Sequence, residues 1–153
     1  MALPKTCIPR DGLTLIEILI SISLLAILAG FGLVESMDSY RRYNFFSQRE
    51  LLVSLLQRAR AQAMQNLNEM PHGLHIDSIA ATYILFQGSD FAHRDLSGDL
   101  IFSGNPGQSF AGLTDVVFSR LSGTTTSGSI IFKDSIHQQA VINLNDEGLI
   151  DLQ

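Results

Sequence analysis

Glu17 is the residue whose position in the sequence most clearly indicates a need for a chemical partner. It is the one ionisable residue between Leu13 and Val34, a run of 22 residues that is otherwise apolar, small or hydroxyl-bearing. A charged side chain at the middle of a bilayer costs at least about 2.5–3.5 kcal/mol, so such a residue generally pairs with an opposite charge. The alternative is a glutamate at the membrane edge that reaches toward water. The chemistry expected of Glu17 is therefore ion pairing.

The residues before Glu17 form a motif. A short leader with Lys5 and Arg10 ends at Gly12, immediately ahead of the apolar run. A secretory signal peptide has the opposite order, because its small-residue cut site follows the apolar core. The segment RDGLTLIE, residues 10–17, instead resembles the cleavage and methylation motif of type IV prepilins. Glycine suits such a cut site because its backbone can approach a protease closely.

The resemblance to type IV prepilins implies specific roles. A membrane-embedded prepilin peptidase would cut between Gly12 and Leu13 and methylate the new amino group of Leu13. Glu17, with Thr14 beside it, would act in assembly, where the glutamate neutralises the terminal amine of an adjacent subunit. Two departures are visible: Leu13 stands where phenylalanine is usual, and the proline frequent in major pilins is absent around Val34.

The segment 13–34 is predicted to be a transmembrane or filament-core helix. As a helix its 22 residues span roughly 33 Å, which is enough to cross a bilayer. The leader is basic, whereas acidic and basic residues cancel just after Val34, so the amino end is expected in the cytoplasm. The chain is thus expected to be single-pass in the bacterial inner membrane, stored in lipid before assembly, with its remainder outside the cytoplasm.

Residues 35–70 are predicted to continue the helix in amphipathic form. Apolar side chains recur at helical spacing on one stripe, namely Leu52, Leu55, Leu56, Ala59, Ala63 and Leu67. Asn66 and Asn68, followed by Pro71 and Gly73, are the residue types that end a helix. The stripe requires a partner surface further along the chain.

Residues 71–153 are predicted to be a β-rich globular head that covers this stripe. Short β-branched and aromatic runs alternate with Gly, Ser, Asn and Asp clusters, at 73–76, 82–87, 100–102, 115–120, 129–133, 140–145 and 149–152. The fold class is therefore α+β, a long amino-terminal helix packed against an antiparallel head. Residues 59–63, 83–86, 117–123 and 142–148 together resemble the corresponding segments of H-type minor pseudopilins and related minor pilins.

Several sequence patterns suggest catalytic or metal-binding chemistry, but other features of the same residues argue against each of them. His93-Arg94-Asp95-Leu96 copies the start of a kinase catalytic loop, but Leu100 stands where asparagine is required. Asp90, Asp95 and Asp99 are calcium candidates, although their spacing does not match an EF-hand. The four histidines lack helical metal-ligand spacing. No enzyme activity, metal or cofactor is expected, and the lone Cys7 excludes an intrachain disulfide.

The charge balance argues against general nucleic-acid binding. Loss of residues 1–12 removes two of the ten basic and one of the fifteen acidic residues, so the mature chain has a formal charge of −6. Affinity for DNA requires phosphate neutralisation by basic side chains. A local patch remains open, with Arg58, Arg60, Arg94, Arg120 and Lys133 as its candidates.

The function expected from these features is that of a minor pilin or pseudopilin subunit of a type IV pilus or type II secretion pseudopilus. Its partners would be the prepilin peptidase, other subunits, and an inner-membrane assembly platform with a cytoplasmic ATPase. A major filament subunit and a competence-type minor pilin that binds DNA remain alternatives. The sequence leaves open which of these machines uses the chain.

Overall fold

The computed structural model of the chain describes residue 12 and residues 14–134 and 138–153, without the side chains of residues 32–38. The chain divides into two compact units, Met1–Arg42 and Tyr43–Gln153. The described part contains one α-helix, two short 3-10 helices and eight strands, and every strand pairing is antiparallel. The α+β class and the antiparallel sheets predicted from the sequence are confirmed.

Helix α1 extends over Leu15–Met64 and has 50 residues. Leu, Ala, Gln and Arg favour helix, and no proline interrupts this range. The helix ends where the predicted asparagines stand, because Asn66 and Asn68 adopt left-handed φ angles of 55° and 54°. Asparagine tolerates this conformation better than most residues. A 3-10 turn over Leu67–Glu69 follows.

The apolar stripe of α1 is confirmed with one correction. Leu52, Leu56, Ala59 and Ala63 have no exposed surface, and Leu55 is also buried. Leu67, predicted as the last member, is instead 43% exposed. The α-helix ends at Met64, so the left-handed turn at Asn66 carries Leu67 away from the stripe.

Eight strands form two four-stranded sheets. They are β1 (His72–Asp77), β2 (Thr82–Gln87), β3 (Leu100–Ser103), β4 (Ser109–Gly112), β5 (Asp115–Phe118), β6 (Gly128–Lys133), β7 (Gln139–Leu144) and β8 (Ile150–Leu152). The first sheet has the order β3-β2-β1-β5, and the second has the order β4-β6-β7-β8. Strand β4 was not predicted. It has one large apolar residue, Phe110, which pairs with Phe132 of β6, so tertiary pairing makes it a strand.

One hydrophobic core joins the stripe of α1 to both sheets. Leu56 of the helix, Leu74 of the first sheet and Ile142 of the second belong to the same cluster and have no exposed surface. Burying each such side chain contributes about 1.5–3 kcal/mol. A smaller cluster forms where Phe45 stacks on Phe132 with ring centroids 4.8 Å apart. The carboxyl half of α1 is thus an integral part of the Tyr43–Gln153 unit.

Gly73 is required by close packing within β1. A Cβ at this position would stand 2.6 Å from the Cζ atom of Phe86 and 2.7 Å from the carbonyl oxygen of Val116. Contacts this short are not tolerated, so any side chain would separate β1 from its neighbours. Gly73 therefore serves the sheet as well as the exit from the helix.

The membrane-spanning segment predicted over residues 13–34 is not supported by the described residues. Among them, no helix combines the length and the apolar character needed to cross a membrane.

Candidate functional site

Thr14 is the amino-terminal cap of α1. Its side-chain Oγ1 accepts a hydrogen bond from the backbone N–H of Glu17 at 3.3 Å, and its carbonyl oxygen accepts from the N–H of Ile18 at 3.2 Å. A threonine three residues before a glutamate is the capping-box pattern, which satisfies amide groups that the first helical turn leaves without partners. The assembly role of Thr14 stays a prediction, and the cap is a local role that was not predicted, although the spacing Thr-x-x-Glu carries its signal.

The carboxylate of Glu17 has no partner within the described residues. The two hydroxyl groups nearest along the same helical face are already engaged, because Thr14 accepts from the Glu17 backbone and Ser21 donates to the Glu17 carbonyl oxygen at 2.7 Å. Its position in the first turn is favourable for a negative charge, since the amino end of a helix carries a partial positive charge. Among the described residues, the carboxylate is therefore not engaged in any ion pair or hydrogen bond.

The first turns of α1, over residues 15–31, expose apolar side chains on all sides. Eleven large hydrophobic residues between Leu15 and Phe31 are 46% to 79% exposed, namely Leu15, Ile16, Ile18, Leu19, Ile20, Ile22, Leu24, Leu25, Ile27, Leu28 and Phe31. The hydroxyl of Ser23 donates to the carbonyl oxygen of Leu19 at 2.7 Å, so it needs no external partner. A helix that is hydrophobic all round is one that becomes buried in other material.

Gly12 lies in open surroundings. No heavy atom lies within 4 Å of the position that a Cβ would occupy. Nothing in the described part of the chain therefore requires glycine here. Leu13, the predicted methylation site, and residues 1–11 of the predicted leader lie outside the described residues.

Three of the four segments that resemble H-type pseudopilins meet around Arg60. Its Nη2 donates to the carbonyl oxygen of Glu147 at 3.0 Å, and a Cβ on Gly148 would stand 3.1 Å from its Nε. A Cβ on Gly123 would stand 3.3 Å from its Cγ. Both glycines adopt positive φ angles, 68° and 74°, that favour glycine. We call this cluster, Arg60, Gly123, Glu147 and Gly148, the Arg60 junction.

The acidic loop predicted as a calcium candidate is held by its own donors. Asp90 accepts from the backbone N–H of His93 at 2.9 Å, and Asp95 accepts from that of Ser97 at 2.9 Å. Asp99 accepts from the Nε of Arg94 at 2.8 Å. The bond from His93 lowers the pKa of Asp90, and the pKa of Asp95 is lowered first by a hydrogen bond from the Ser97 hydroxyl and then by the one from the Ser97 N–H. Within the described ranges, no group of three His, Cys, Asp or Glu side chains is arranged to hold a metal ion.

Arg94 also anchors the loop to the first sheet. Its guanidinium lies 3.8 Å from the ring centroid of Phe91, and the imidazole of His75 stacks on the same ring at 3.6 Å. His75 Nδ1 in turn lies 2.6 Å from a carboxylate oxygen of Asp115. The apparent kinase-like residues His93 and Arg94 thus have structural contacts, in a loop that packs on strands.

His72 is the one polar residue that is buried among those described. Its Nδ1 lies 3.0 Å from the carbonyl oxygen of Met70, which places the proton on Nδ1, while its Nε2 has no partner in the described part of the chain. Burial lowers the pKa of His72, an effect that the Met70 bond opposes. The histidine is therefore neutral near pH 7.

The basic residues proposed as a DNA patch are largely engaged in internal contacts. Arg94 pairs with Asp99, Arg60 donates to the Glu147 carbonyl, and Arg120 donates to the carbonyl oxygen of Glu69 at 2.9 Å. Three of the five basic side chains are therefore engaged in contacts within the head.

In the described residues, the carboxyl half of α1 packs on two antiparallel sheets, and the segment of residues 15–31 is exposed and apolar. No protein-family model and no curated protein matches the chain. Among solved structures, it is similar to the minor pseudopilin EpsH from the type 2 secretion system of Vibrio cholerae, with a TM-score of 0.50 and 13% sequence identity. The match covers 71% of this chain and 94% of that chain. The protein therefore has a minor-pseudopilin-like fold.

Proposed function

We propose that the chain is a minor pilin or pseudopilin subunit that is assembled into a type II secretion pseudopilus or a type IV pilus. The observation that carries this proposal is the exposed apolar surface of α1 over residues 15–31, in which Glu17 is the single carboxylate and has no partner among the described residues. Membrane lipid before assembly and neighbouring helices after it would both supply the apolar surroundings that this surface needs. The pseudopilin-like fold of the chain supports the same assignment.

Maturation by a prepilin peptidase would place a new amine beside the helix cap. Cleavage between Gly12 and Leu13 leaves Leu13 one residue before Thr14, the cap of α1. The positive end of the helix disfavours a terminal ammonium, so this group gains from a nearby carboxylate. Methylation of the Leu13 amine by the same enzyme retains its basic character.

Glu17 would provide that carboxylate to the neighbouring subunit. In a filament core built from apolar half-helices, an unpaired carboxylate carries its full desolvation cost, whereas a pair offsets it. The pairing of Glu17 with the amine of an adjacent Leu13 therefore also selects the register between subunits. Thr14 contributes by holding the first turn that orients both groups.

The remaining machinery would lie in partners. The subunit waits in the inner membrane with its head outside the cytoplasm, and an assembly platform with a cytoplasmic ATPase extracts it. The chain itself catalyses no reaction in this scheme. Its likeness to a minor subunit favours low abundance in the filament over the role of major subunit.

Mass spectrometry of the amino terminus of the native, assembled protein tests the proposal. The expected product begins with N-methylated Leu13 and is present in far fewer copies than the main filament subunit. Intact Met1 in assembled material would refute processing, and absence from purified filaments would refute the subunit role. An abundance equal to that of the main subunit would replace the minor role with the major one.

A further inference from the structure

A groove lies between the carboxyl half of α1 and strand β8. Its volume is about 300 Å³, and its lining residues are Gln57, Arg60, Ala61 and Met64 on the helix and Leu149 and Ile150 on the strand side. It lies beside the Arg60 junction, because Gly148 precedes Leu149 directly. The groove therefore adjoins the place where three of the pseudopilin-like segments meet.

Strand β8 is an open edge of the second sheet. Val141 and Gln153 exchange two hydrogen bonds of 3.1 and 2.9 Å, and Asn145 donates to Leu149 at 3.2 Å. Inward and outward groups alternate along an antiparallel strand, so Ile150 and Leu152 direct their backbone N–H and C=O groups away from β7. Such an edge is a template for one more strand.

Apolar side chains surround this edge and the groove. Met64 of α1 is 47% exposed, Leu149 beside β8 is 51% exposed, and Leu121 is 62% exposed. Leu121 belongs to the same region because its backbone N–H donates to the carbonyl oxygen of Ala63 at 2.9 Å. Met64 and Leu149 line the groove itself, so a segment that occupied the groove and paired with β8 would contact both.

Arg60 gives the groove a positive charge. Its Nη2 bonds to a neutral carbonyl group, its Nε is buried without a partner, and no carboxylate lies within ion-pair distance of it among residues 14–134 and 138–153. A guanidinium in a partly covered site pairs most strongly with a carboxylate. The charge thus selects an acidic occupant.

We propose that the groove and the open edge of β8 bind an extended segment of a neighbouring, non-identical subunit, with an aspartate or glutamate of that segment directed at Arg60. This site rests on the proposed role as a filament subunit and names the partner's chemistry. Backbone pairing at β8 supplies affinity, and the side chain that enters the groove supplies specificity.

Pairing between the β8 edges of two copies of this chain does not place a carboxylate at Arg60. If two β8 edges paired in antiparallel fashion, the residues presented on the groove side would again be Ile150 and Leu152, because those two share the face toward α1. Neither residue offers a carboxylate to Arg60. Charge complementarity therefore favours a different subunit over self-pairing.

Site-specific photo-crosslinking tests the site in the full chain. Benzoylphenylalanine is placed at position 149 in producing cells, and crosslinked peptides from purified filaments are sequenced by mass spectrometry. The expected product joins position 149 to a strand-forming, acid-containing segment of another subunit. The same probe at position 101, on the edge strand β3 of the other sheet, should not capture that segment.

Two substitutions separate the backbone and charge contributions. Leu152→Pro removes an outward N–H that β7 does not use, and Arg60→Gln removes the charge. Arg60→Gln should lower the crosslink yield by about tenfold, the loss expected for a hydrogen bond to a charged group, and Leu152→Pro should lower it by about two- to tenfold, the loss expected for a neutral backbone hydrogen bond. Arg58→Gln, on an exposed neighbouring position of α1, should leave the yield unchanged. Thermal unfolding of each variant checks that the head is folded. Reversal of both charges, with Arg60→Glu in this chain and lysine in place of the partner's acid, should restore the crosslink yield.

The outcomes distinguish the site from the subunit role. Three results would overturn the docking site alone, provided that the assembled protein begins at Leu13. They are no crosslink from position 149, a crosslink to a second copy of this chain, and a crosslink yield that Leu152→Pro does not change. A captured segment without an acidic residue would do the same. Protein that never assembles would overturn both proposals.

Discussion

Replacing Glu17 and Thr14 separately distinguishes ion pairing from helix capping at the start of α1. Glu17→Gln keeps the size of the side chain and, since glutamine also serves in a capping box, preserves local helix support while removing the charge. Thr14→Ala removes the hydroxyl that accepts the Glu17 N–H at 3.3 Å but keeps the carboxylate. The two variants therefore remove different interactions within one helical turn.

The expected effects differ in size. With Thr14 and Ser21 already engaged by the backbone of Glu17, the described chain has no substitute partner for the carboxylate or the neighbouring amine. Loss of the pair leaves a buried amine without its partner, which costs at least about 2.5 kcal/mol, or about 60-fold in the ratio of assembled to membrane-held protein. Loss of the cap costs about 1 kcal/mol, or about fivefold.

Quantitative mass spectrometry of sheared filaments and of the membrane fraction measures this ratio directly. Both variants should be cleaved after Gly12, so the amino terminus of the membrane-held protein serves as the internal control. Assembly of Glu17→Gln at the wild-type level would refute the pairing mechanism. A Thr14→Ala defect as large as that of Glu17→Gln would show that helix capping, and not charge, controls incorporation.

Three further predictions concern the leader, the head and pH. Gly12→Val should abolish leader removal, seen as an intact amino terminus by mass spectrometry, yet leave the melting temperature unchanged, because no described atom lies near the Gly12 Cβ position. Leu56→Ala should lower the free energy of unfolding of the head by about 2–5 kcal/mol in urea titrations, whereas Leu19→Ala, at an exposed position, should change it by less than about 0.5 kcal/mol. Equal losses of stability in Leu56→Ala and Leu19→Ala would contradict the assignment of Leu56 to the core. Burial lowers the pKa of His72 from its ordinary 6.5, so the unfolded chain binds a proton that the folded chain resists. The free energy of unfolding should therefore decline as the pH falls below 6.5, by at most about 1.4 kcal/mol per pH unit. In urea titrations at stepwise lower pH, His72→Gln should make this decline less steep.

Most of the fold could be predicted because its elements have strong local patterns. The stripe from Leu52 to Ala63 repeats at helical spacing and is buried as expected. Strand β2, Thr82–Gln87, has the predicted bounds, since it combines aromatic and β-branched residues between turn-forming ones. The prediction was wrong at Leu67, where helical periodicity continues in the sequence but a left-handed turn at Asn66 interrupts the helix.

The candidate site was predictable only where its residues are neighbours in sequence. Gly12, Thr14 and Glu17 lie within six consecutive residues, so the resemblance to a processing and assembly motif is visible in the sequence alone. The capping bond of Thr14 was also encoded locally, in the Thr-x-x-Glu spacing. The bond between Arg60 and the Glu147 carbonyl joins residues 87 positions apart, and no local pattern indicates such a contact.

The sequence by itself predicted a leader motif, and it determined the single carboxylate in the apolar run, the amphipathic second half of α1 and most of the strands, because each depends on residue type and short-range period. Only the tertiary structure decided which segments meet: the pairing that makes β4 a strand, the engagement of the acidic loop by Arg94, and the Arg60 junction beside an open edge of β8. These features arise from contacts between residues distant in the chain, and such contacts form only when the hydrophobic core brings helix and sheets together.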